Sequence, residues 1–274
     1  MTVEELIIYG KKYLHSNEVK IILSSIIGCD TLELLNYLDK KISTKDVETF
    51  KKMINARLNN YPLQYIVGNV NFYGYDFIVR QNVLIPRFET EQLVYYVSKF
   101  IKDNYTGKID IIDVGCGSGI IGITLSKIIK NCNVTCVDIS DYALDLTKDN
   151  SIKLGVDINI IKSDMLDNVN ETFDVIVSNP PYIAEDEKIE DIVKNNEPHI
   201  ALYGGSDGLL FYKKILSTAK EHLKDNFLIA FEIGENQASA ISDLANDYLD
   251  NINIDIYKDL SNRDRIVLIY NKNE

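Results

Sequence analysis

Nowhere in its 274 residues does the chain gather lysine and arginine into a cluster. Twenty-nine basic residues stand against 41 acidic ones, a formal net charge of −12. Proteins that grip duplex nucleic acid neutralise its phosphates with a basic stripe, and an acidic surface repels them. The expected substrate is therefore a protein or a small molecule, with no direct nucleic-acid contact. Cysteine is scarce too. Cys29, Cys116, Cys132 and Cys136 form no Cys-x-x-Cys pair and have no histidine at ligand spacing. They read as reduced, partly buried thiols, and no metal site is expected. Apolar runs stop short of the ~20 residues that a membrane span requires. The start, Met1-Thr2-Val3-Glu4-Glu5, is acidic where a signal peptide is basic. A cytoplasmic protein without membrane contact is the expectation, and it is expected to act as a monomer. Internal repeats and low-complexity segments are lacking as well.

What is present is an ordinary globular composition, 46% hydrophobic and 26% charged. The length suits one large domain or two smaller ones. Residues 1–60 read as a small helical bundle. Thr2-x-x-Glu5, Asp30-x-x-Glu33 and Ser43-x-x-Asp46 are capping signals ahead of apolar-periodic runs. After the last of these, Val47, Phe50, Ile54 and Leu58 make one apolar stripe, and Gly28 ends the second run. Residues 61–88 change period: Val70, Phe72, Tyr75, Phe77 and Val79 alternate about Tyr73-Gly74, a β-hairpin linking two parts.

Residues 89–274 form the third stretch. From about residue 109, short apolar strands alternate with amphipathic helices: Ile109–Val114, Val134–Asp138, Ile158–Lys162, Phe173–Ser178 and Phe227–Ile233. That is the rhythm of βαβ units and a parallel sheet covered on both faces. Ile252–Tyr257 and Ile266–Tyr270 are separated by a turn too short for a crossover helix, so they must pair antiparallel. The predicted fold is α/β, a Rossmann-like, mostly parallel sheet ending in an antiparallel hairpin, with a small N-terminal helical domain. This is the outline of the class I S-adenosylmethionine methyltransferases, and outline alone does not establish function.

Asp113-Val114-Gly115-Cys116-Gly117-Ser118-Gly119 follows the first of these strands and opens a helix. Its glycines permit a tight turn and a close approach by a ligand. Asp138 ends the next strand, where a carboxylate can accept both hydroxyls of a ribose. Gly117-x-Gly119-x-x-Gly122 with Asp138 also satisfies the dinucleotide fingerprint, so NAD is an alternative. Asp113, ahead of the glycines, could position the amino-acid end of S-adenosylmethionine and favours that cofactor. Asp164, beside Met165, ends the third strand where adenine would lie, or is a solvated turn acid.

Ser178-Asn179-Pro180-Pro181-Tyr182 follows the fourth strand, at the carboxyl edge where open α/β sheets bind ligands. An amide or exocyclic amine is a poor nucleophile, because its lone pair is delocalised into a π system. Methylating such a nitrogen needs acceptors that hold its NH₂ group. The Asn179 side-chain oxygen can take one N–H and the Pro180 carbonyl the other. The two prolines pre-set the backbone. Fixed dipoles and correct approach then supply rate. Tyr182 offers a ring face to a planar substrate. His15, His199 and His222 lie outside the segment, and the scheme needs no general base.

These motifs, with Pro62-Leu63-Gln64-Tyr65-Ile66-Val67-Gly68, Ile85-Pro86-Arg87-x-Glu89-Thr90-Glu91, Glu197-Pro198 and Glu232-Ile233-Gly234, resemble the HemK-like release-factor glutamine methyltransferases over essentially the whole chain. The resemblance implies methylation of N5 of the glutamine in the Gly-Gly-Gln motif of peptide chain release factors. The cofactor would be S-adenosyl-L-methionine and the product S-adenosyl-L-homocysteine. It further implies that Gly115, Cys116, Gly117, Ser118, Gly119, Asp138 and Met165 line the cofactor site and that Asn179 touches both ligands. Asn179, Pro180, Pro181 and Tyr182 would hold the glutamine, and residues 1–60 would help grip the release factor. Phe88 stands where the family usually has a second proline, Met165 where some members have an aromatic residue, and Asn262 where a glycine is common. The competing readings are a DNA adenine-N6 methyltransferase acting on a flipped base, and a glutamine methyltransferase of another protein.

Overall fold

A computed structural model describes residues 1–271. The chain divides into two compact units, Met1–Asn69 with Glu190–Asn196, and Val70–Ile189 with the chain from Glu197 onward. The first division falls at Asn69, and from Val70 the hairpin belongs to the second unit.

The first unit holds α1 (Val3–Gly10), α2 (Ser16–Ile27), α3 (Thr44–Leu58) and α4 (Leu63–Val67). The capping box before α1 forms as expected: Thr2 Oγ1 accepts the Glu5 N–H at 3.2 Å, and Glu5 Oε2 accepts the Thr2 N–H at 3.0 Å. Ser43 caps α3 by accepting the Asp46 N–H, and Gly28 ends α2 in the left-handed region. The Asp30 signal instead opens a short 3-10 turn, Glu33–Tyr37. Its Leu34 joins Leu6, Ile22, Leu23, Phe50 and Ile54 in the core, while Leu58, the last residue of the expected stripe, is exposed.

The second unit opens with the hairpin β1 (Asn69–Phe72) and β2 (Tyr75–Ile78), followed by α5 (Thr90–Asn104). The alternating core is β3 (Ile109–Val114), α6 (Ile120–Ile128), β4 (Cys132–Asp138), α7 (Asp141–Leu154), β5 (Asn159–Lys162) and β6 (Phe173–Ser178). After α8 (Asp191–Asn196), which belongs to the first unit, come α9 (Leu210–His222), β7 (Leu223–Glu232), α10 (Ala238–Tyr248), β8 (Ile252–Lys258) and β9 (Asp264–Asn271). The strands lie in the order β5-β4-β3-β6-β7-β9-β8, parallel except where β9 pairs antiparallel with β7 and β8. The predicted fold class is the observed one.

The sheet's two faces can be read from its residues one by one. Ile112, Ile176, Ile229, Phe231, Val267 and Ile269 point to the layer of α9 and α10. Their neighbours Ile111, Val175, Val177, Leu228, Ala230, Ile266 and Leu268 point to the layer of α5, α6 and the hairpin. This is the period-two alternation of a strand buried on both sides. Each such aliphatic side chain contributes about 1.5–3 kcal/mol through burial. Among the described residues no helix is long and apolar enough to cross a membrane.

Candidate active site

The strand order reverses at β3. From there the chain adds β4 and β5 on one side, then β6 and β7 on the other, and such switch points leave a crevice at the carboxyl edge. Val114 is in register with Ser178, so the glycine loop and the Asn179 segment leave the sheet side by side. Ser178 Oγ ties the two ends by donating to the Val114 carbonyl at 2.6 Å. Beside them opens a cavity of about 320 Å³, within the size range of small-molecule sites. Gly115, Cys116, Gly117, Ser118, Asp138, Asp164, Met165, Asn179 and Pro181 line it. The parallel register thus brings together most of the residues singled out in the sequence.

The loop is held open by its surroundings. Gly115 and Gly117 adopt φ of 70° and 58°, where L side chains are strained. A Cβ at Gly115 would meet no atom within 4 Å, and at Gly117 only Val83 at 3.9 Å. That space is a place for ligand. Thr147 Oγ1 donates to the Gly117 carbonyl at 3.0 Å, and Asn150 Nδ2 to that of Ser118 at 2.9 Å. Asp138 Oδ2 accepts the Gly117 N–H and Oδ1 the Ser140 N–H, each at 2.9 Å. Burial raises the Asp138 pKa against the pull of these backbone N–H groups. Each of its oxygens keeps a lone pair for hydroxyl donors.

Gly119 and Asp113 differ from expectation, because neither is on the cavity wall. A Cβ at Gly119 would stand 2.8 Å from Ile123 Cδ1 and 2.9 Å from Thr147 Cγ2, so this glycine serves packing. Asp113 is wholly buried behind the loop, where its Oδ2 accepts the Gly122 N–H at 2.9 Å. Its Oδ1 has no partner. Burial pushes this carboxyl up to about 7; the Gly122 N–H opposes the rise and Asp138 adds to it. Asp113 anchors the first turn of α6 through this hydrogen bond.

At the far end, Met165 lies in the left-handed region, φ 51°, with its side chain against the core under α9. Ile139, Ala143, Leu210 and Phe211 add apolar wall there. Asp164 is on the wall and its Oδ2 pairs with Lys214 Nζ at 2.8 Å. A largely apolar compartment next to Asp138 suits an adenosine, and the glycine cradle suits the remainder of S-adenosylmethionine.

Asn179 faces the cavity with a fixed orientation. Its Nδ2 donates to Thr90 Oγ1 at 3.2 Å, and Thr90 Oγ1 donates to Glu232 Oε2 at 2.7 Å. The Asn179 side chain also hydrogen-bonds Glu232. With the nitrogen so engaged, the amide oxygen is the acceptor left for a ligand. Burial pushes the Glu232 carboxyl up to about 7, opposed by the Thr90 hydroxyl and the charge of Arg265. Pro181 lines the cavity, whereas Pro180 is buried and Tyr182 is not part of the wall. The Tyr182 ring packs on the core beneath α9, and its carbonyl accepts Gln237 Nε2 at 2.9 Å. Burial pushes its phenol up to about 12, with Glu232 adding to the shift.

Thr90, Glu232, Phe211 and Lys214 had no role in the sequence reading. Nor had Glu197, which is buried and accepts the Ile85 N–H at 3.0 Å and Arg87 Nη2 at 2.6 Å. It thereby holds the Pro86-Arg87 wall of the cavity to the Pro198–Ala201 wall. Thr90, Glu197 and Glu232 do stand inside the segments quoted for the family resemblance, and that was the only signal they gave.

Comparison with known proteins agrees with this geometry. A model described as the PrmC N-terminal domain matches residues 5–68, and one described as the Methyltransferase small domain matches residues 96–197. A release factor glutamine methyltransferase of Clostridium botulinum is 40% identical over 91% of this chain and 90% of its own length. One from Bacillus subtilis is 34% identical over 97% of this chain and 96% of its own. A crystal structure of a methyltransferase from Pyrococcus furiosus shares the fold, with a TM-score of 0.54 at 20% identity over 72% of this chain and 89% of its own. Identity of 34% and 40% over more than nine-tenths of this chain means that it belongs to the release factor glutamine methyltransferase family.

Proposed function

We propose that the protein methylates N5 of the glutamine in the Gly-Gly-Gln motif of peptide chain release factors, with S-adenosylmethionine as methyl donor. The observation that carries this reading is the Asn179 oxygen, free on the cavity wall next to a glycine cradle. The family's relatives carry the same substrate in their names. The net charge of −12 supports a protein substrate over DNA.

Bound in the cradle, S-adenosylmethionine supplies an electrophilic methyl group on a sulfonium. The chain's own work is to hold the amide. Asn179 Oδ1, on the cavity wall, accepts one N–H of the glutamine side chain; the other is assigned to the carbonyl of Pro180, whose ring is buried beside that wall, and the pair directs the nitrogen's face toward the cofactor site. When the N–CH₃ bond forms and the S–CH₃ bond breaks, the nitrogen carries one proton in excess; the two acceptors stabilise the positive charge on its N–H groups until that proton passes to water. Dipoles fixed before substrate arrives need no reorganisation during transfer. Asp138 holds the ribose hydroxyls, and Gly115, Cys116, Gly117 and Ser118 surround the rest of the cofactor.

Incubating the purified protein with release factor and labelled S-adenosylmethionine, followed by mass spectrometry of the Gly-Gly-Gln peptide, tests the reading. A gain of one methyl group on glutamine is expected. Label on DNA adenine or on another protein alone would replace the substrate named here.

A further inference from the structure

A carboxamide has two ends of nearly equal shape and opposite hydrogen-bonding character. If Asn179 turned its nitrogen to the cavity, its donors would face the donors of the substrate NH₂ group, and only the Pro180 carbonyl would remain to accept. Something must decide which end points in. The group that decides lies behind Asn179. Ionised Glu232 can only accept, so the Thr90 hydroxyl spends its single proton on Glu232 Oε2, 2.7 Å away. The Thr90 oxygen must then accept, and its partner at 3.2 Å is the Asn179 nitrogen. The direction of the whole chain is set by a charged end that has no proton to give.

We infer that Thr90 and Glu232 are positioning residues that lock the Asn179 carboxamide with its oxygen toward the substrate nitrogen. The inference deepens the proposed amide methylation and rests on it. Glu232 is off the cavity wall and Thr90, although it borders the cavity, has its hydroxyl engaged between Glu232 and Asn179, so both act through Asn179. Thr90 is 1% exposed and Glu232 2%, so water does not substitute for either bond. The lock also has a pH dependence. Facing Glu232 are Arg265 from β9, Glu89 just before α5, Tyr182 after β6 and Tyr212 on α9, whose hydroxyl donates to the Glu232 carbonyl at 2.7 Å. Arg265 favours the carboxylate and Glu89 opposes it. Both tyrosines stay neutral, since burial raises their phenols. With its carboxyl pushed up to about 7, Glu232 takes a proton as pH falls through neutrality. It can then donate to Thr90, and the direction of the chain is no longer forced.

The experiment uses the full chain and purified release factor at saturating cofactor. Thr90→Val keeps the shape and removes the hydroxyl; it should lower kcat about 100-fold, the scale of a misplaced reacting group. Cofactor affinity by calorimetry should stay within about threefold. Thr90→Ser should restore most of the rate. Native kcat should fall below pH 7, and Glu232→Gln and Thr90→Val should both lose that acid limb. Because Asn179 also hydrogen-bonds Glu232 directly, folded Thr90→Val and Glu232→Gln variants that both keep native kcat overturn the lock, as does a Thr90→Ser as slow as Thr90→Val, which would mark a packing role for the methyl group. A substrate-free reading separates this outcome from failure of the proposed activity. The Asn179 side-chain amide resonances should shift with a midpoint near pH 7, and the shift should vanish in Glu232→Gln. If the native protein leaves release factor unmethylated, the proposed function falls, and the resonances still decide the lock: a pH-independent Asn179 amide overturns it.

Discussion

The two loops that meet at the sheet edge are built on opposite plans. The glycine loop is held through its backbone: Asp138 and Asp113 take the N–H groups of Gly117 and Gly122, while Thr147 and Asn150 donate to loop carbonyls. The Asn179 segment instead has its working side chain held from behind, by Thr90, 89 positions earlier, and by Glu232 on another strand. A loop shaped by carboxylates on its backbone makes a place for a ligand. A side chain aimed by a hydrogen-bond chain makes a dipole in a chosen direction. Affinity should therefore reside in the first and rate in the second.

The largest expected effect tests the second half of that division. Asn179→Ala should reduce kcat about 1,000-fold, the scale of losing one fixed electrostatic partner of a reacting group. Calorimetry should find its cofactor affinity within a few-fold of native. A variant that bound no cofactor would erase the distinction between the loops. Next in size, Asp138→Ala should weaken cofactor binding roughly 10- to 100-fold, the worth of hydrogen bonds to a charged acceptor. Its kcat at saturation should fall much less, and a rate loss at unchanged affinity would move Asp138 to the other side of the comparison.

Asp113→Asn sharpens the comparison through stability. Its folded carboxyl stands at about 7 against an ordinary 3.8. The stability linked to it is complete below the unfolded value and is lost as pH rises through about 7. Native protein should accordingly melt lower at pH 8 than at pH 5, with Glu232 adding to the slope in the same direction. Asp113→Asn keeps an acceptor for Gly122 without the buried charge, so it should flatten that slope and gain roughly 1–3 kcal/mol at pH 8. A variant that melts lower than native at pH 8 would show that the charge is needed where it lies.

The backbone-held loop was legible because its parts are local. Gly115 to Gly119 follow one strand, and Asp138 ends the next, so spacing alone carried both the turn and the ribose acid. The same locality misled over Asp113, whose place just ahead of the glycines says nothing about which side of the strand it faces. Asn179 was legible from its prolines, yet its orientation was not. Thr90 begins a helix and Glu232 ends a strand, and only the strand order brings them to one point. That the half-buried Tyr182 ring also packs on the apolar layer under α9 was not legible in its segment. The capping box of α1 and the hairpin at Tyr73-Gly74 were plain, because nearest neighbours in sequence decide them.

β9 lies between β7 and β8, although the chain makes it after both. Growing from β3, the sheet reaches β7 and stops at an open edge with a full row of unpaired N–H and C=O groups. Such edges recruit other chains. That edge closes only when β9 threads between two strands already synthesised. Arg265 travels on β9, so the cation that favours ionised Glu232 arrives in the same event. Maturation of the site and protection from aggregation are thus one step, and a nascent chain halted before that strand would be at once inactive and adhesive.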